Sequence, residues 1–438
     1  MCYILKFNVM RLYAITKIKI PAFCIFVLLL SFNSGMQVYA ESPEMPESFN
    51  EFKGVVVDKT SGNPLAFTSI VLVGTNISTV TNTDGEFSIK VSSSVKNGKI
   101  SLRYMGYKNR VVSLSELLQE KTRIELEAIA VELPEVSVIS KDAKALVEAM
   151  MYKIGENYPD DETQMTAFYR ETIKKNKTYA SLSEAVVDIY KQPYVSYKTD
   201  VVKMYKARKK TDYAKVDTLV FKLMGGPFNS LYLDVMKNPS MIFTEKMMTN
   251  YEFSFDRSTR LDNRLIYVVD FIQSTISNEP LYYGKLYIDA ESLALKSAIF
   301  KLNIQDREAS SRMFIIRKPL KANVYPVEAN YRIDYTEKDG KWYYSYSRIE
   351  LGLRINWKRR LFNTTYYSTI EMAVTDWEKA GTEKPAGRKE RLRSNVIVSD
   401  EASGFSDPDF WGEFNVIEPE KSIETAIKKI QKQLEKKD

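Results

Sequence analysis

The sequence predicts a mainly β fold: a small N-terminal β-sandwich, then a large antiparallel curved sheet or open half-barrel, and a C-terminal helix. Short strands separated by turn signals recur from Phe52 to about Glu127, a spacing typical of sandwiches. From about Gln164 to Trp377, longer segments alternate in the way that half-buried strands do. The 28 tyrosines and 21 phenylalanines support this assignment, because aromatic residues are enriched in strands.

The first forty residues have the features of an export signal. Four basic residues and no acidic residue occur there, and residues 22–32 form an apolar run of about 11 residues. Val38 and Ala40 place small residues at the −3 and −1 positions of a cleavage site before Glu41. An uncleaved anchor helix is the alternative, but a membrane span needs roughly 20 apolar residues. We therefore expect an exported protein, periplasmic or associated with the outer membrane.

Composition excludes several kinds of catalysis. The chain has no histidine, and both cysteines, Cys2 and Cys24, lie in the predicted signal. This excludes Cys/His and Ser-His-Asp catalysis and zinc sites built on His or Cys. Loss of the signal lowers Lys+Arg from 63 to 59 against 56 Asp+Glu, so the formal charge falls from +7 to +3. That balance gives no argument for nucleic-acid binding. The basic run 206–210 is interpreted as a solvated loop or strand edge, with contact to phosphate or anionic lipid as the alternative.

Turn chemistry supports the sandwich. The Asp84-Gly85 pair predicts a tight turn between two strands, because glycine adopts the positive φ that such turns need. Asp84 and Glu86 supply far fewer than the ~6–8 oxygens that calcium prefers, so the turn is favoured over a calcium site. The predicted strands cover residues 52–57, 67–73, 86–91, 99–104, 106–112 and 122–127.

Four motifs in this region resemble the carboxypeptidase-regulatory-like domain. They are residues 54–58 (Gly-Val-Val-Val-Asp), 62–66 (Gly-Asn-Pro-Leu-Ala), 81–87 (Thr-Asn-Thr-Asp-Gly-Glu-Phe) and 104–107 (Tyr-Met-Gly-Tyr). The resemblance implies a prealbumin-like sandwich that has no catalytic residues. Such domains accompany zinc carboxypeptidases and also occur at the N-terminus of TonB-dependent outer-membrane receptors in Bacteroidota-like bacteria.

Two further resemblances concern the rest of the chain. The predicted hairpin 284–296 resembles one hairpin of the periplasmic lipoprotein-carrier fold, an unclosed antiparallel barrel around a hydrophobic cavity. The whole mature chain resembles a set of carboxypeptidase-regulatory-like proteins of Bacteroidota, and that set brings no known activity. The shared features are residues 168–171 (Phe-Tyr-Arg-Glu), 184–187 (Glu-Ala-Val-Val), 225–227 (Gly-Gly-Pro) and 409–411 (Asp-Phe-Trp).

Helix periodicity marks two segments outside the predicted strands. Residues 142–154 place apolar side chains at spacings of three and four, with Asp142 as N-cap. Residues 422–435 do the same and end in lysines, which predicts a packing helix or, alternatively, a helix that docks on a membrane surface. The predicted organisation is a signal (1–40), a sandwich (50–130), a linker with a packing helix (131–160), an antiparallel sheet domain (161–380) and a polar linker with a C-terminal helix (381–438).

Paired carboxylates are the remaining candidates for chemistry. Asp334 lies near Glu337, and Asp270 and Asp289 are expected to lie near one another on candidate strands. A glycosidase needs two carboxyl groups ~5–9.5 Å apart in one cleft, which a sequence does not display. Residues 225–229 are glycine-rich but lack the lysine and spacing of a phosphate loop, so they predict a turn or lid. Arg170 and Glu171 are adjacent on a strand and therefore point to opposite faces, where each pairs with a neighbouring strand.

From these observations we expect an exported, non-catalytic envelope protein with a binding or scaffolding role. The expected partner is an apolar or glycan ligand, or an outer-membrane receptor or transport complex, and not nucleic acid. We expect no catalytic, cofactor-binding or metal-binding residues and no cofactor. Two alternatives stay open: an outer-membrane-associated β-barrel component and a carboxylate-dependent hydrolase.

Overall fold

A computed structural model describes thirteen stretches of the chain. They are residues 7–11, 48–117, 122–129, 142–211, 219–223, 225–244, 248–274, 280–317, 322–358, 363–379, 387, 389–404 and 410–425. Most of the predicted signal lies outside these residues. Its described part is strand β1 (Phe7–Arg11), which pairs with Leu219–Leu223 and with Ile315–Arg317. Among the described helices, none is long and apolar enough to span a membrane.

The N-terminal region is a sandwich of two small sheets. Its strands are β2 (Phe49–Asp58), β3 (Ser69–Leu72), β4 (Ser78–Val80), β5 (Glu86–Ser92), β6 (Lys99–Arg103), β7 (Arg110–Ser113) and β8 (Thr122–Leu126), with a 3-10 turn at Leu114–Glu116. One sheet has the order β5-β2-β8 and the other β4-β3-β6-β7. Val56 and Ile124 of the first sheet and Ile70 and Ile100 of the second are buried in one core. The predicted sandwich is therefore confirmed.

Gly85 occupies a turn position that suits no other residue. Its φ is +74°, and a Cβ built there would lie 2.5 Å from the carbonyl oxygen of Val56. Asn82 Oδ1 closes the turn by accepting from the backbone N–H groups of Asp84 and Glu86. Both the backbone conformation and the space at Gly85 therefore exclude a side chain.

We expect Gly85→Ala to lower the free energy of unfolding by more than about 1–3 kcal/mol, because it adds a steric clash to an unfavourable backbone conformation. Gly340→Ala is the matched control. Gly340 has φ +78°, but a Cβ added there would meet no atom within 4 Å, so only the conformational cost applies. Urea denaturation of both variants measures the difference, and equal losses would contradict the close-approach argument.

The remaining elements build a larger sheet and its covering helices. In chain order they are α1 (Ala143–Tyr152), α2 (Ile154–Asn157), β9 (Thr163–Lys175), β10 (Thr178–Lys191), β11 (Val201–Thr211), β12 (Leu219–Leu223), α3 (Pro227–Tyr232), a 3-10 turn (Pro239–Met241), β13 (Tyr251–Leu261), β14 (Arg264–Gln273), β15 (Tyr282–Asp289), β16 (Leu295–Leu302), α4 (Arg307–Phe314), β17 (Ile315–Arg317), β18 (Ala322–Lys338), β19 (Lys341–Trp357), β20 (Thr364–Lys379), α5 (Val398–Glu401) and β21 (Ser403–Gly404). Strands β12 and β17 flank β1 in a separate three-stranded sheet.

The large sheet is curved and open. Its order is β13-β14-β15-β16-β18-β19-β20-β9-β10-β11-β21, and every pair is antiparallel except the last. Its outermost strands, β13 and β21, do not pair with each other in the described structure, so the sheet does not close. The predicted large antiparallel sheet is confirmed.

The apolar face of this sheet, which carries Tyr169, Ile333 and Tyr335, is filled from within the chain. Helix α1 packs there through Leu146, Val147 and Met150, as the sequence predicted, and Asp142 Oδ1 accepts from the N–H groups that begin the helix. Residues 227–244, which include α3, and Met248 cover the rest with a series of apolar side chains: Leu231, Leu233, Val235, Met236, Met241, Ile242, Phe243 and Met248. The glycine-rich motif forms a turn only at Gly225 and Gly226, since Pro227 begins α3.

Candidate functional site

A cavity of about 670 Å³ lies between the sandwich and the opposite, polar face of the large sheet. This volume is within the ~300–1,000 Å³ of small-molecule sites. We call it the cleft. The sandwich contributes Ser69, Val71, Ser101 and Arg103 to one wall. These residues face outward because their strand neighbours point into the sandwich core and successive side chains alternate between faces.

Successive side chains of β18 point to opposite faces of the large sheet, and those on the polar face form part of the opposite wall of the cleft. Ile333 and Tyr335 lie on the apolar face, so Arg332 and Asp334 lie in the cleft. Asp334 accepts from Ser297 Oγ at 2.6 Å and from Arg332 Nε at 2.7 Å. Burial alone would raise the pKa of Asp334, but the nearby Arg332 and Lys296 cations and these hydrogen bonds hold its pKa below the usual range. Asp334 is therefore held as a carboxylate.

Arg264 holds two more carboxylates of the cleft. Its guanidinium lies 2.7 Å from Asp289 Oδ1 and 3.6 Å from Glu337 Oε2, with Cζ 5.7 Å from the Trp342 ring centroid. Burial works against the charge, but these carboxylates raise the pKa of Arg264 above its ordinary value. Arg264 therefore stays charged at the edge of the cleft.

Contacts between the sandwich and β13–β14 define one end of the cleft. Arg103 Nε lies 3.0 Å from Asp262 Oδ2, and the N–H of Gly106 donates to the Arg260 carbonyl at 2.8 Å. Tyr104 and Met105 line the cleft next to these contacts. The motif 104–107, which carried part of the family resemblance, therefore lies at the site.

Apart from Arg103 Nε, which lies 3.0 Å from Asp262 Oδ2 in an ion pair, three buried polar atoms of the cleft residues make no hydrogen bond within the described part of the chain. They are Asp262 Oδ1, Asp289 Oδ2 and Arg264 Nε. Buried polar groups are nearly always hydrogen-bonded, and leaving one unpaired costs about 1–3 kcal/mol. Two of these atoms require a donor and one requires an acceptor.

The sequence-derived carboxylate pairs are only partly brought together. Asp334, Glu337 and Asp289 all line the cleft. The expectation that Asp270 and Asp289 are neighbours is wrong: the β14–β15 register places Asp270 opposite Lys285 and Asp289 opposite Ile266. Each residue of shift along a strand moves a partner by ~3.3 Å, so the two carboxylates lie at different levels of the hairpin.

A second cluster, the charge ladder, crosses five adjacent strands of the polar face. It consists of Arg208, Glu184, Arg170, Glu371 and Arg348, which the strand registers place directly opposite one another in turn. The nitrogen–oxygen distances are 2.8 Å for Arg208–Glu184, 2.7 Å for Arg170–Glu184 and 4.0 Å for Arg170–Glu371. Arg170, Glu184 and Glu371 are all buried.

The C-terminal segment, residues 410–425, covers the ladder. Arg170 donates to the Ile417 carbonyl at 2.7 Å, and Trp411 packs edge-on against Phe168 with centroids 5.5 Å apart. Three of the four recurring motifs, residues 168–171, 184–187 and 409–411, thus meet here, although Asp409 lies outside the described residues. The interpretation of 206–210 as a solvated edge is wrong for Arg208, which belongs to the ladder, and for Lys206, which donates to the Phe410 carbonyl at 3.2 Å.

The same segment also holds the sandwich. Asn415 Oδ1 accepts from the N–H of Lys90 at 2.7 Å, and Asn82 Nδ2 donates to the Glu418 carbonyl at 3.2 Å. The chain is helical over 421–425, where Ile423 packs on Tyr179 of the large sheet. The rest of the predicted C-terminal helix lies outside the described residues.

Arg170 and Glu171 point to opposite faces, as predicted. Glu171 lies on the other side of β9 from the ladder and accepts from Tyr169 Oη at 2.9 Å. Burial raises the pKa of Glu171 from 4.5 to about 7. The folded protein therefore keeps a proton on Glu171 at pH values where the unfolded chain has lost it.

This difference predicts a pH-dependent stability. Between about pH 4.5 and 7 the folded state binds the extra proton, so stability falls as the pH rises and the full loss, about 3 kcal/mol, is reached above pH 7. We expect Glu171→Gln to remove this slope and to be more stable than the parent protein above pH 7. Urea titrations from pH 4.5 to 8 measure it, with exposed Glu252→Gln as control. An unchanged slope in Glu171→Gln would refute the assignment.

Metal ligation finds no support in the described residues: no cluster of three or more His, Cys, Asp or Glu side chains there could hold an ion. Asp84 belongs to the turn at Asn82–Glu86, and its Oδ2 accepts from the N–H of Lys421 at 3.0 Å.

Comparison with known proteins identifies the family of the N-terminal region and solved structures that align with part of the chain. Residues 52–138 match the CarboxypepD_reg-like domain family. No curated protein matched the chain. Among solved structures, a LolA superfamily protein from Nitrosomonas europaea aligns at 10% identity over 56% of this chain and 96% of its own, with a TM-score of 0.21.

Two other solved structures align with a similar share of the chain. A DUF1329 family protein from Desulfovibrio piger has 10% identity over 56% of this chain and 96% of its own, with a TM-score of 0.22. A lipovitellin structure has 7% identity over 58% of this chain and 28% of its own, with a TM-score of 0.26.

Proposed function

We propose that this is an exported, non-catalytic binding protein of a Gram-negative, Bacteroidota-type cell envelope, and that it holds a polar ligand in the cleft. In this proposal the sandwich and the large sheet are two domains, each of which supplies one wall. The unpartnered atoms of Asp262, Asp289 and Arg264 carry the argument, because a polar ligand would satisfy all three.

The lining favours a polar ligand over a lipid. Twelve charged side chains line the cleft: Arg103, Arg257, Arg264, Lys285, Lys296, Arg332, Lys338, Asp256, Asp262, Asp289, Asp334 and Glu337. An acyl chain there would displace water from these groups without replacing its hydrogen bonds. The apolar face, where the carrier-fold resemblance implies a cavity, is occupied by α1, residues 227–244 and Met248.

The state of the carboxylates supports a non-catalytic role. A glycoside hydrolase needs one carboxyl group with a raised pKa to act as general acid. In the cleft, Asp334 is paired with Arg332, while Asp289 and Glu337 share Arg264. The pKa of Asp334 is lowered rather than raised. Turnover of a saccharide that is abolished by Asp334→Asn or Asp289→Asn would overturn this part of the proposal.

The four tryptophans provide the binding test, because Trp342 and Trp377 line the cleft whereas Trp357 and Trp411 do not. The mature chain is screened on a glycan array of neutral and acidic saccharides and against phosphatidylglycerol vesicles. A captured saccharide is expected to change the intrinsic fluorescence, and Trp377→Phe to reduce that change while the control Trp357→Phe retains it. Capture of no saccharide, binding of vesicles alone, or a fluorescence change that survives loss of Trp342 and Trp377 would overturn the proposal.

Export has its own test. Expression of the full chain in a Gram-negative host, with fractionation and N-terminal sequencing, is expected to recover envelope protein that begins at Glu41. Recovery of cytoplasmic protein that still carries its first forty residues would contradict the predicted signal.

A further inference from the structure

We propose that the ligand of the cleft is an acidic saccharide, whose hydroxyl groups pair with Asp262, Asp289 and Arg264 and whose anionic group binds Lys296. This inference rests on the proposed function and adds the chemical class of the ligand.

The unpartnered atoms select hydroxyl groups. Asp262 Oδ1 and Asp289 Oδ2 accept hydrogen bonds, whereas Arg264 Nε donates one. A ligand with acceptors only, such as sulfate, would satisfy Arg264 and repel the two carboxylates. A hydroxyl group donates and accepts, so several hydroxyls on one rigid ring match this mixed set.

Aromatic side chains add flat surfaces beside these polar groups. Phe67 and Tyr104 of the sandwich and Tyr287 and Trp377 of the large sheet line the cleft and are all half-buried. Aromatic rings offer rigid contact area at low entropic cost, and a few placed polar groups among them are typical of ligand sites. A sugar ring presents both an apolar face and a polar edge to such a lining.

The charges of the lining select an acidic ligand. Seven cationic side chains face five carboxylates, an excess of two positive charges. Four of the cations form an ion pair with a cleft carboxylate: Arg264, Lys285, Arg332 and Arg103. Within the described residues, Lys296, Lys338 and the exposed Arg257 form none.

Lys296 is the better placed of the two lysines. Its Nζ donates to the Tyr335 carbonyl, and the ammonium group has three donors, so two stay available among the described residues. Burial, together with the neighbouring Arg332 and Arg103 cations, lowers the pKa of Lys296 and is only partly offset by the carboxylates of Asp334 and Asp262. A further anion in the cleft would favour the charged form. Lys338 is already placed 4.9 Å from the Trp377 ring centroid and contacts Asn76.

The test compares two probes that differ in one group per ring. Trigalacturonate carries a C6 carboxylate where trigalactose carries a hydroxymethyl group. Calorimetric titration of the mature chain is expected to show that trigalacturonate binds at least about tenfold more tightly, because charge-assisted hydrogen bonds are the stronger ones. We expect this advantage to shrink as salt screens the charges.

Lys296→Met is expected to weaken trigalacturonate binding by about tenfold or more and to leave trigalactose binding unchanged. Lys301→Met, on the same strand but exposed and outside the cleft, is the matched control. Lys296→Arg keeps the charge and should retain preference for the acidic probe. Urea midpoints of all three variants confirm that they fold.

The outcomes separate the two proposals. Equal affinity for both probes, or a Lys296→Met variant that binds trigalacturonate normally, overturns the acidic saccharide while the cleft remains a saccharide site. Capture of no saccharide on the glycan array overturns the proposed function and this inference with it.

Discussion

Replacement of Arg170 by methionine is expected to lower the free energy of unfolding by about 3–5 kcal/mol, which is the cost of removing one partner from a buried ion pair. The guanidinium of Arg170 lies between Glu184 and Glu371, and all three side chains are buried. Methionine fills much of the volume of the arginine side chain, but it leaves Glu184 and Glu371 without the cation that they share. Urea denaturation at pH 7 measures the loss.

Two comparisons make this prediction specific. Arg123→Met removes an exposed arginine that, among the described residues, pairs with Glu125 on the surface, so a change within about 1 kcal/mol is expected. Arg170→Met should also speed proteolytic cleavage within residues 410–418, because Arg170 donates to the Ile417 and Glu418 carbonyls. Unchanged stability together with an unchanged cleavage rate would show that the ladder does not hold the C-terminal segment.

Replacement of Lys191 by methionine is expected to cost a similar amount, about 3–5 kcal/mol, by stranding two aspartates in the core. Lys191 Nζ lies 2.8 Å from Asp200 Oδ2 and 2.8 Å from Asp234 Oδ2. Tyr335 Oη also donates to Asp234 at 2.7 Å. Although burial opposes the charge, the two aspartates raise the pKa of Lys191, so the ammonium form persists in the fold.

A double variant checks this explanation. Adding Asp234→Asn to Lys191→Met removes one stranded charge and is expected to restore part of the lost stability, since the two substitutions act on one network. Lys198→Met serves as the control. Lys198 is exposed in the loop between β10 and β11, so its replacement should leave stability nearly unchanged. Additive losses in the double variant would show that the charges are not coupled.

Local sequence patterns predicted most helices, strands and turns, because each pattern spans only a short stretch of consecutive residues. The Asp142 cap and the periodic Leu146, Val147 and Met150 sufficed for α1. Two-residue alternation sufficed for the long strands, and Asp84-Gly85 sufficed for the turn between β4 and β5, where Gly85 has positive φ. These signals depend only on residues a few positions apart.

The cleft could not be predicted in this way, because it depends on contacts between distant parts of the chain. Arg103 of the sandwich meets Asp262 only after the two walls have packed together, and Arg264 of β14 meets Glu337 of β18 only after these distant strands have joined one sheet. The sequence contains a partial signal for the charge ladder. Arg170 and Glu184 are charged residues within apolar strands, and a buried charge in such a strand calls for an opposite charge on its neighbour.

The C-terminal segment has a consequence for how this chain can be divided. Asn415 bonds to the sandwich and Ile417 bonds to Arg170 of the large sheet, so about ten residues near the end of the chain join regions that lie more than two hundred positions earlier. A recombinant fragment that stops before residue 410 would retain both walls of the cleft. It would lose the C-terminal segment, which bonds to the sandwich and to the large sheet. Removal of this segment is thus expected to change how the two walls of the cleft are held together, although none of its residues lines the cleft.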